Sequence, residues 1–221
     1  MEPRPPLPDG IATPDDISED TLLANIWLKP TATLRFILTY CPDKYVTGLL
    51  MLGGIARSLD RASQHDYGDR TSTLTLLLTA IFVGGLTGWI SYYVYGWSMS
   101  VTGRWLGGRA SSEQFRTVVA WSLVPTVVAL ALIIPQAVIF GDDLFRSEPR
   151  DTSAFAENAR VAFGLVDAVM AIWTLVILVC GVRHLQGFSV GRTLANILLP
   201  AVVIIGIVLG FAGLFKAFQL L

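Results

Sequence analysis

Apolar residues in this chain come in long blocks separated by short charged stretches, and the block lengths predict helices that cross a membrane. The blocks run from about Tyr45 to Leu59, Leu74 to Thr102, Phe115 to Phe140, Glu157 to Val182 and Leu194 to Ala217. A helix needs about 20 residues to cross the ~30 Å hydrocarbon core, and lipid offers no partner to an open backbone N–H or C=O. The expected fold is therefore all-α, a polytopic transmembrane helical bundle of five spans over 45–218. The first block is short and is expected to borrow flanking residues or thin the bilayer. The charged stretch around Gly181–Pro200 is where the last two spans turn back on each other.

Two weaker elements precede the bundle. Residues 1–17 hold Pro3, Pro5, Pro6, Pro8 and Pro14 with few large apolar groups, which predicts a disordered tail. Over 18–44, Ser18 reads as a helix N-cap with Glu19 and Asp20 in the first turn. Leu22, Leu23, Ile26 and Trp27 share one face of that helix, and Pro30 ends it. A second short helix starts near Thr33, and its one charge, Arg35, sits among Leu34, Phe36, Ile37, Leu38 and Tyr40. Both are too short to span and are expected to lie flat as interfacial amphipathic helices with Lys29, Arg35 and Lys44 toward phosphates, the second either packed on its own bundle or sensing lipid.

Within the blocks, small and polar residues mark where helices meet. Gly84 with Gly88 and Gly206 with Gly210 each make a GxxxG pair, which predicts close packing of spans two and five, or of two copies of the chain. Trp89, Tyr92, Tyr93, Tyr95 and Trp97 read as packing and interface anchors rather than a ligand pocket. Ser111 and Gln114 fit a capping box at the start of span three, and Pro125 and Pro135 predict kinks within it. Asp167 is the acid expected at bilayer depth, where a carboxylate costs about 2.5–3.5 kcal/mol unless it finds protein, water or a proton. Its structural reading is a bond to a neighbouring helix; its functional reading is a proton or cation relay.

Composition supports the membrane class and narrows the chemistry. Hydrophobic residues make up 53% of the 221-residue chain and charged residues 15%, with a mean hydropathy of +0.59. A net charge of −1 leaves no basic field for nucleic acid. Cys41 and Cys180 form no CxxC pair, and both fall near the cytoplasmic face, which predicts reduced thiols. His65 beside Asp66 reads as a solvated loop pair, and Asp142, Asp143, Glu148 and Asp151 lack EF-hand spacing, so no metal or other cofactor is expected. Gly107–Gly108 beside arginines lacks the lysine of a P-loop. The first residues lack the basic and apolar regions of a signal peptide. With the N-terminus inside, nine of the 16 basic residues fall on the cytoplasmic side and seven outside, a margin too small to orient the chain alone.

Three places carry a family resemblance. They are Trp27 with Pro30, Thr33 and Arg35; Leu106, Gly107 and Gly108 with Phe115, Arg116 and Pro125; and Val182 to Ser189 followed by Arg192 and Pro200. In this order, and with the span count, they resemble the YIP1 family of five-span membrane proteins in its bacterial form, over most of residues 25–215. The resemblance implies a cytoplasmic N-terminus and an integral-membrane bundle without a catalytic centre. Eukaryotic relatives are associated with Rab GTPases and transport between endoplasmic reticulum and Golgi, but this chain's tail has no feature that identifies a GTPase partner.

The expectation is a non-enzymatic scaffold or assembly factor in the bacterial cytoplasmic membrane, acting as a homo-oligomer or an accessory subunit. It would bind partner proteins and lipid headgroups through its cytoplasmic face. The residues assigned to that face are Trp27, Pro30 and Arg35; Arg104, Gly107, Gly108 and Arg109; and Arg183, His184, Gly187, Phe188 and Arg192. Arginines would hold phosphate or carboxylate, Phe188 would dip into the interface, and Gly187 would permit the sharp return. The alternative is a small transporter or channel, with Asp167 in a central site opened by kinked helices.

Overall fold

Residues 17–219 are described by the computed structural model, with side chains as far as residue 212. The expected tail lies outside the described residues except for Ile17, as does the Lys216 side chain. The described residues form ten α-helices and no strand: α1 (Leu22–Leu28), α2 (Pro30–Tyr40), α3 (Val46–Gln64), α4 (Thr73–Thr79), α5 (Gly85–Trp105), α6 (Ser112–Ser122), α7 (Val124–Leu130), α8 (Ile133–Phe140), α9 (Ala154–Gln186) and α10 (Val190–Gln219). A π-helical turn, Ala80–Gly84, joins α4 to α5. Four stretches are long and apolar enough to cross a membrane: Thr73–Trp105, Val124–Phe145, Ala154–Gln186 and Val190–Ala212. The expected first span, α3, falls short of that apolarity because Asp60 and Arg61 join Arg57 within the helix rather than lying in the loop after it.

The N-terminal helices depart from expectation in detail. Thr21, not Ser18, stands at the start of α1, and its amide and hydroxyl both donate to the Ser18 carbonyl. Glu19 and Asp20 therefore precede the helix. Pro30 does not only close α1; it opens α2 three residues earlier than Thr33, in the first turn, where a missing N–H costs nothing. Leu34 and Ile37 are fully buried, and α2 packs on α6 and α9. Leu23 points away from the core, at 48% exposure.

The packing centre is α6. Its first turn is closed by the expected capping box: the Ser111 hydroxyl accepts from the Gln114 amide, and the Gln114 side chain accepts from the Ser111 amide. From Thr117 to Ser122 every residue is buried, and α2, α3, α5 and α9 pack around the helix. Phe115 and Trp121 are fully buried. The Trp121 indole donates to the Lys44 carbonyl at 3.2 Å and the Thr117 hydroxyl to the Pro42 carbonyl at 3.0 Å, which ties the α2–α3 connection to the core. Because α6 is interior, the expected third span is broken. Pro125 starts α7 after a break at Leu123, and 3-10-type bonds at Ala131 and Leu132 separate α7 from α8 just before Pro135.

Gly84 and Gly88 do serve a close crossing, but their partner is α3 rather than α10. A methyl group built on Gly54 would lie 2.5 Å from the Gly84 carbonyl oxygen and 2.6 Å from the Gly88 Cα, so the two backbones are in direct contact. Gly206 and Gly210 meet nothing within 4 Å. The contact of α10 with α5 is polar instead: the Asn196 amide donates to the Met99 carbonyl (2.9 Å) and the Thr102 hydroxyl (3.0 Å), and the Tyr95 hydroxyl donates to the Ile197 carbonyl (3.0 Å).

At the far end of the bundle, Ser147 donates from its hydroxyl (2.7 Å) and its amide (3.2 Å) to the Asp69 carboxylate, joining two loops. The hydroxyl bond first, then the amide bond, holds that carboxyl below the usual carboxylate range. The clasp is therefore complete at neutral pH and is lost as the pH falls through the lowered value.

Substituting Gly88→Ala is expected to destabilise the chain by about 1–3 kcal/mol, because neither backbone at the crossing has room to move aside. Gly206→Ala should leave the midpoint of thermal unfolding in detergent unchanged. Equal midpoints for the two variants would refute the assigned crossing.

Candidate functional site

The three regions picked out by sequence converge at one end of the bundle, and the residue that joins two of them is Gln186. At the end of α9 the chain turns through Gly187, whose φ of +66° is the left-handed region open to glycine. At the end of α5 it turns through Gly107, at φ +87°. The Gln186 carbonyl oxygen Oε1 accepts from the backbone amides of Arg109 (2.9 Å) and Ala110 (3.2 Å), clamping the first turn to the second. Gly103 and Gly108 leave room for this amide, since a side chain at either would overlap it. The Gln186 Nε2 and the Asn196 Oδ1, a donor and an acceptor, are buried beside Gly103 with no protein partner.

Around this clamp, Arg104, Arg109, Arg183 and Arg192 are all exposed, and none forms an ion pair among the described residues. Trp105, at the end of α5, is 64% exposed beside them. Arg35 on α2 lies within electrostatic reach of the half-buried His184, bringing the N-terminal helices to the same end. Trp27 is half-buried against the core, and Pro30 acts through the backbone as the first residue of α2. Phe188 departs from expectation: it is buried at 7% exposure, so it anchors the turn inside the fold and does not dip into an interface. Gln186 and Asn196 escaped notice in the sequence. The one signal for Asn196 was an amide set within an apolar run.

Asp167 lies far from this end. With Asp60 of α3 and Gln136 of α8 it lines a pocket of about 120 Å³, otherwise walled by groups such as Ala56, Leu59, Leu130, Ile133 and Met170. The Gln136 side chain shares this pocket with the Asp167 carboxyl. Asp60 was missed because the apolar block was expected to end at Leu59, whereas α3 runs on to Gln64.

A model of the Yip1 domain matches residues 25–212. The chain belongs to the Yip1 family. No match to it was found among curated proteins or among solved structures. In this Yip1-family chain the matched stretch takes in α2, both glycine turns, Gln186 and the residues lining the Asp60–Asp167 pocket.

Gln186→Ala is expected to leave two backbone amides without their acceptor, at about 1–3 kcal/mol for the amide of buried Ala110 and less for that of Arg109, which water can reach. Hydrogen exchange at Arg109 and Ala110 should then speed up, with exchange in α6 little changed. Gln186→Glu retains an acceptor and should keep most of the protection.

Proposed function

We propose that this Yip1-family chain is a non-enzymatic integral-membrane scaffold that docks partner proteins and anionic phospholipid headgroups on the end of the bundle held by Gln186. The observation that carries the reading is the clamp itself. It ties the α5–α6 turn to the α9–α10 turn, so that four exposed arginines, without carboxylate partners among the described residues, share one end with an exposed tryptophan. A guanidinium binds phosphate through paired N–H bonds, and tryptophan favours the headgroup level.

In this reading the end with the arginines is cytoplasmic, the membrane is the bacterial cytoplasmic membrane, and α3 is a fifth span. Its charged residues, unlike those of a lipid-facing helix, are then accommodated by packing on α5, α6 and α7. The paired helices α1 and α2 lie at the headgroup level as a cover on the bundle's end, their apolar side turned inward at Leu22, Ile26, Leu34 and Ile37. The exposed faces of α9 and α10 are apolar, which suits lipid or the neighbouring subunit of an oligomer or membrane complex.

Two measurements test this. Cysteines placed near Gly107 and Gly187 should both be shielded from a membrane-impermeant reagent in intact cells, whereas one near Tyr67 should react; labelling of the two turns on opposite sides would sink the reading. Replacing Arg104, Arg109, Arg183 and Arg192 together by alanine should weaken the preference for phosphatidylglycerol over zwitterionic lipid by about 1 kcal/mol per residue, read by lipid competition in nanodiscs.

A further inference from the structure

Two primary amides meet at Gly103 of α5, one from α9 and one from α10, and each uses only one of its two polar atoms. Gln186 places Oε1 on the backbone amides of Arg109 (2.9 Å) and Ala110 (3.2 Å). Asn196 is fully buried and donates from Nδ2 to the Met99 carbonyl (2.9 Å) and the Thr102 hydroxyl (3.0 Å). That leaves Gln186 Nε2, a donor, and Asn196 Oδ1, an acceptor, both buried. A methyl group built on Gly103 would overlap the first and lie 3.1 Å from the second, so the two atoms border the same small space. The elements that carry them are packed neighbours, since α10 rests on both α5 and α9.

Neither amide is free to turn over. A primary amide keeps nearly the same outline when its oxygen and nitrogen change places, so hydrogen bonds and not packing choose between the two orientations. At Asn196, the Met99 carbonyl can only accept. The Thr102 hydroxyl already donates to the Ser98 carbonyl at 3.0 Å, so it too accepts from the asparagine. Oδ1 is therefore the atom turned toward Gly103. At Gln186, two backbone N–H groups require an oxygen on their side, which turns Nε2 toward the same glycine. A donor and an acceptor are thus brought to one place by bonds made independently of each other. Left unmade in the interior, each carries its full desolvation penalty. The last torsion of a glutamine side chain is broad, so its amide can align with a nearby acceptor at little cost.

We propose that Asn196 is a positioning residue of the clamp, its Oδ1 accepting a hydrogen bond from Gln186 Nε2. The bond completes a relay from the Ser98 carbonyl through Thr102, Asn196 and Gln186 to the amides of Arg109 and Ala110. Each member fixes the orientation of the next. Asn196 acts through Gln186: with this acceptor in place, only the orientation that offers oxygen to the α5–α6 turn satisfies both ends of the glutamine amide. The seating of α10 on α5 thereby decides whether the two arginine-bearing turns are held together. Its consequence for headgroup docking rests on the function proposed above; the relay itself does not.

The test is nuclear magnetic resonance of the full chain in phosphatidylglycerol nanodiscs, with glutamine side-chain amides labelled with ¹⁵N and the Gln186 signal assigned by its loss in Gln186→Ala. The wild type is expected to show a Gln186 NH2 group that exchanges slowly with solvent. Asn196→Leu, similar in size but without an acceptor, should shift that signal and speed exchange of the Ala110 backbone amide about tenfold, the factor for one lost hydrogen bond. Tyr95→Phe removes the bond from the Tyr95 hydroxyl to the Ile197 carbonyl, a second polar contact of α5 with α10, and should leave the Gln186 signal in place. A wild-type Gln186 NH2 group that exchanges as fast as that of the exposed Gln64 would overturn the proposal without any variant. A Gln186 signal unmoved by Asn196→Leu would also overturn it. So would an equal shift in Tyr95→Phe, because the general seating of α10, and not the Asn196 oxygen, would then orient Gln186. Neither readout uses lipid preference, so a failure of headgroup docking shows separately, in the arginine variants.

Discussion

The burial of α6 is the constraint on which the rest of the structure rests. Lipid cannot satisfy an open helix end, so a short helix with a polar first turn survives in a membrane protein only if the fold itself surrounds it. Here four helices do so, and the capping box closes the exposed first turn. Trp121 and Thr117 then use their polar atoms to hold the connection from α2 to α3. On the α5 side, Arg116 lays its guanidinium over Tyr93 at 4.4 Å and pairs with Glu113 at 3.7 Å, so the one cation on this helix leaves the core along an aromatic face.

Glycine sets how closely the other helices approach. Between membrane helices there is little hydrophobic gain, because lipid tails are as apolar as the side chains they would replace; contact must come from packing and hydrogen bonds. Gly54 against Gly84 and Gly88 brings α3 onto the π-helical turn before α5, Gly96 admits the Arg116 stem, and Gly181 admits Val118 and Leu34. The same device at Gly103 and Gly108 makes room for the Gln186 amide. The helix crossings and the turn clamp are therefore one kind of contact, a missing side chain filled by a neighbour.

Charge is divided between the two ends of the bundle. One end carries exposed arginines that form no ion pair among the described residues, set around the clamped turns. Toward the other lie the paired loops with the Asp69–Ser147 clasp and, deeper, the Asp60–Asp167 pocket. A Yip1-family chain built this way keeps its exposed arginine-bearing turns apart from the pocket lined by Asp60 and Asp167, with the core around α6 between them.

Much of this was legible in the sequence, because each such feature is local. Block length and apolarity predicted membrane helices, Ser111 and Gln114 predicted their capping box, and the residues of the two glycine turns predicted their place and the family. A helix in lipid must satisfy its own backbone, so its length and ends are written within a few residues. What only the tertiary structure decided involves partners far apart in the chain. Gly84 and Gly88 face α3, while the equally spaced Gly206 and Gly210 face no other helix. Asp60 and Arg61 continue a helix instead of opening a loop, Asp60 lining the pocket while Arg61 stays exposed. Phe115 to Ser122 is core and not the start of a lipid-facing span. The sequence by itself determined that the chain enters the membrane and where it bends. Which faces touch, and hence that Gln186 joins two turns and that Asp60 and Asp167 line one pocket, was decided by packing, because a spacing pattern marks a face of a helix but carries no address for its partner.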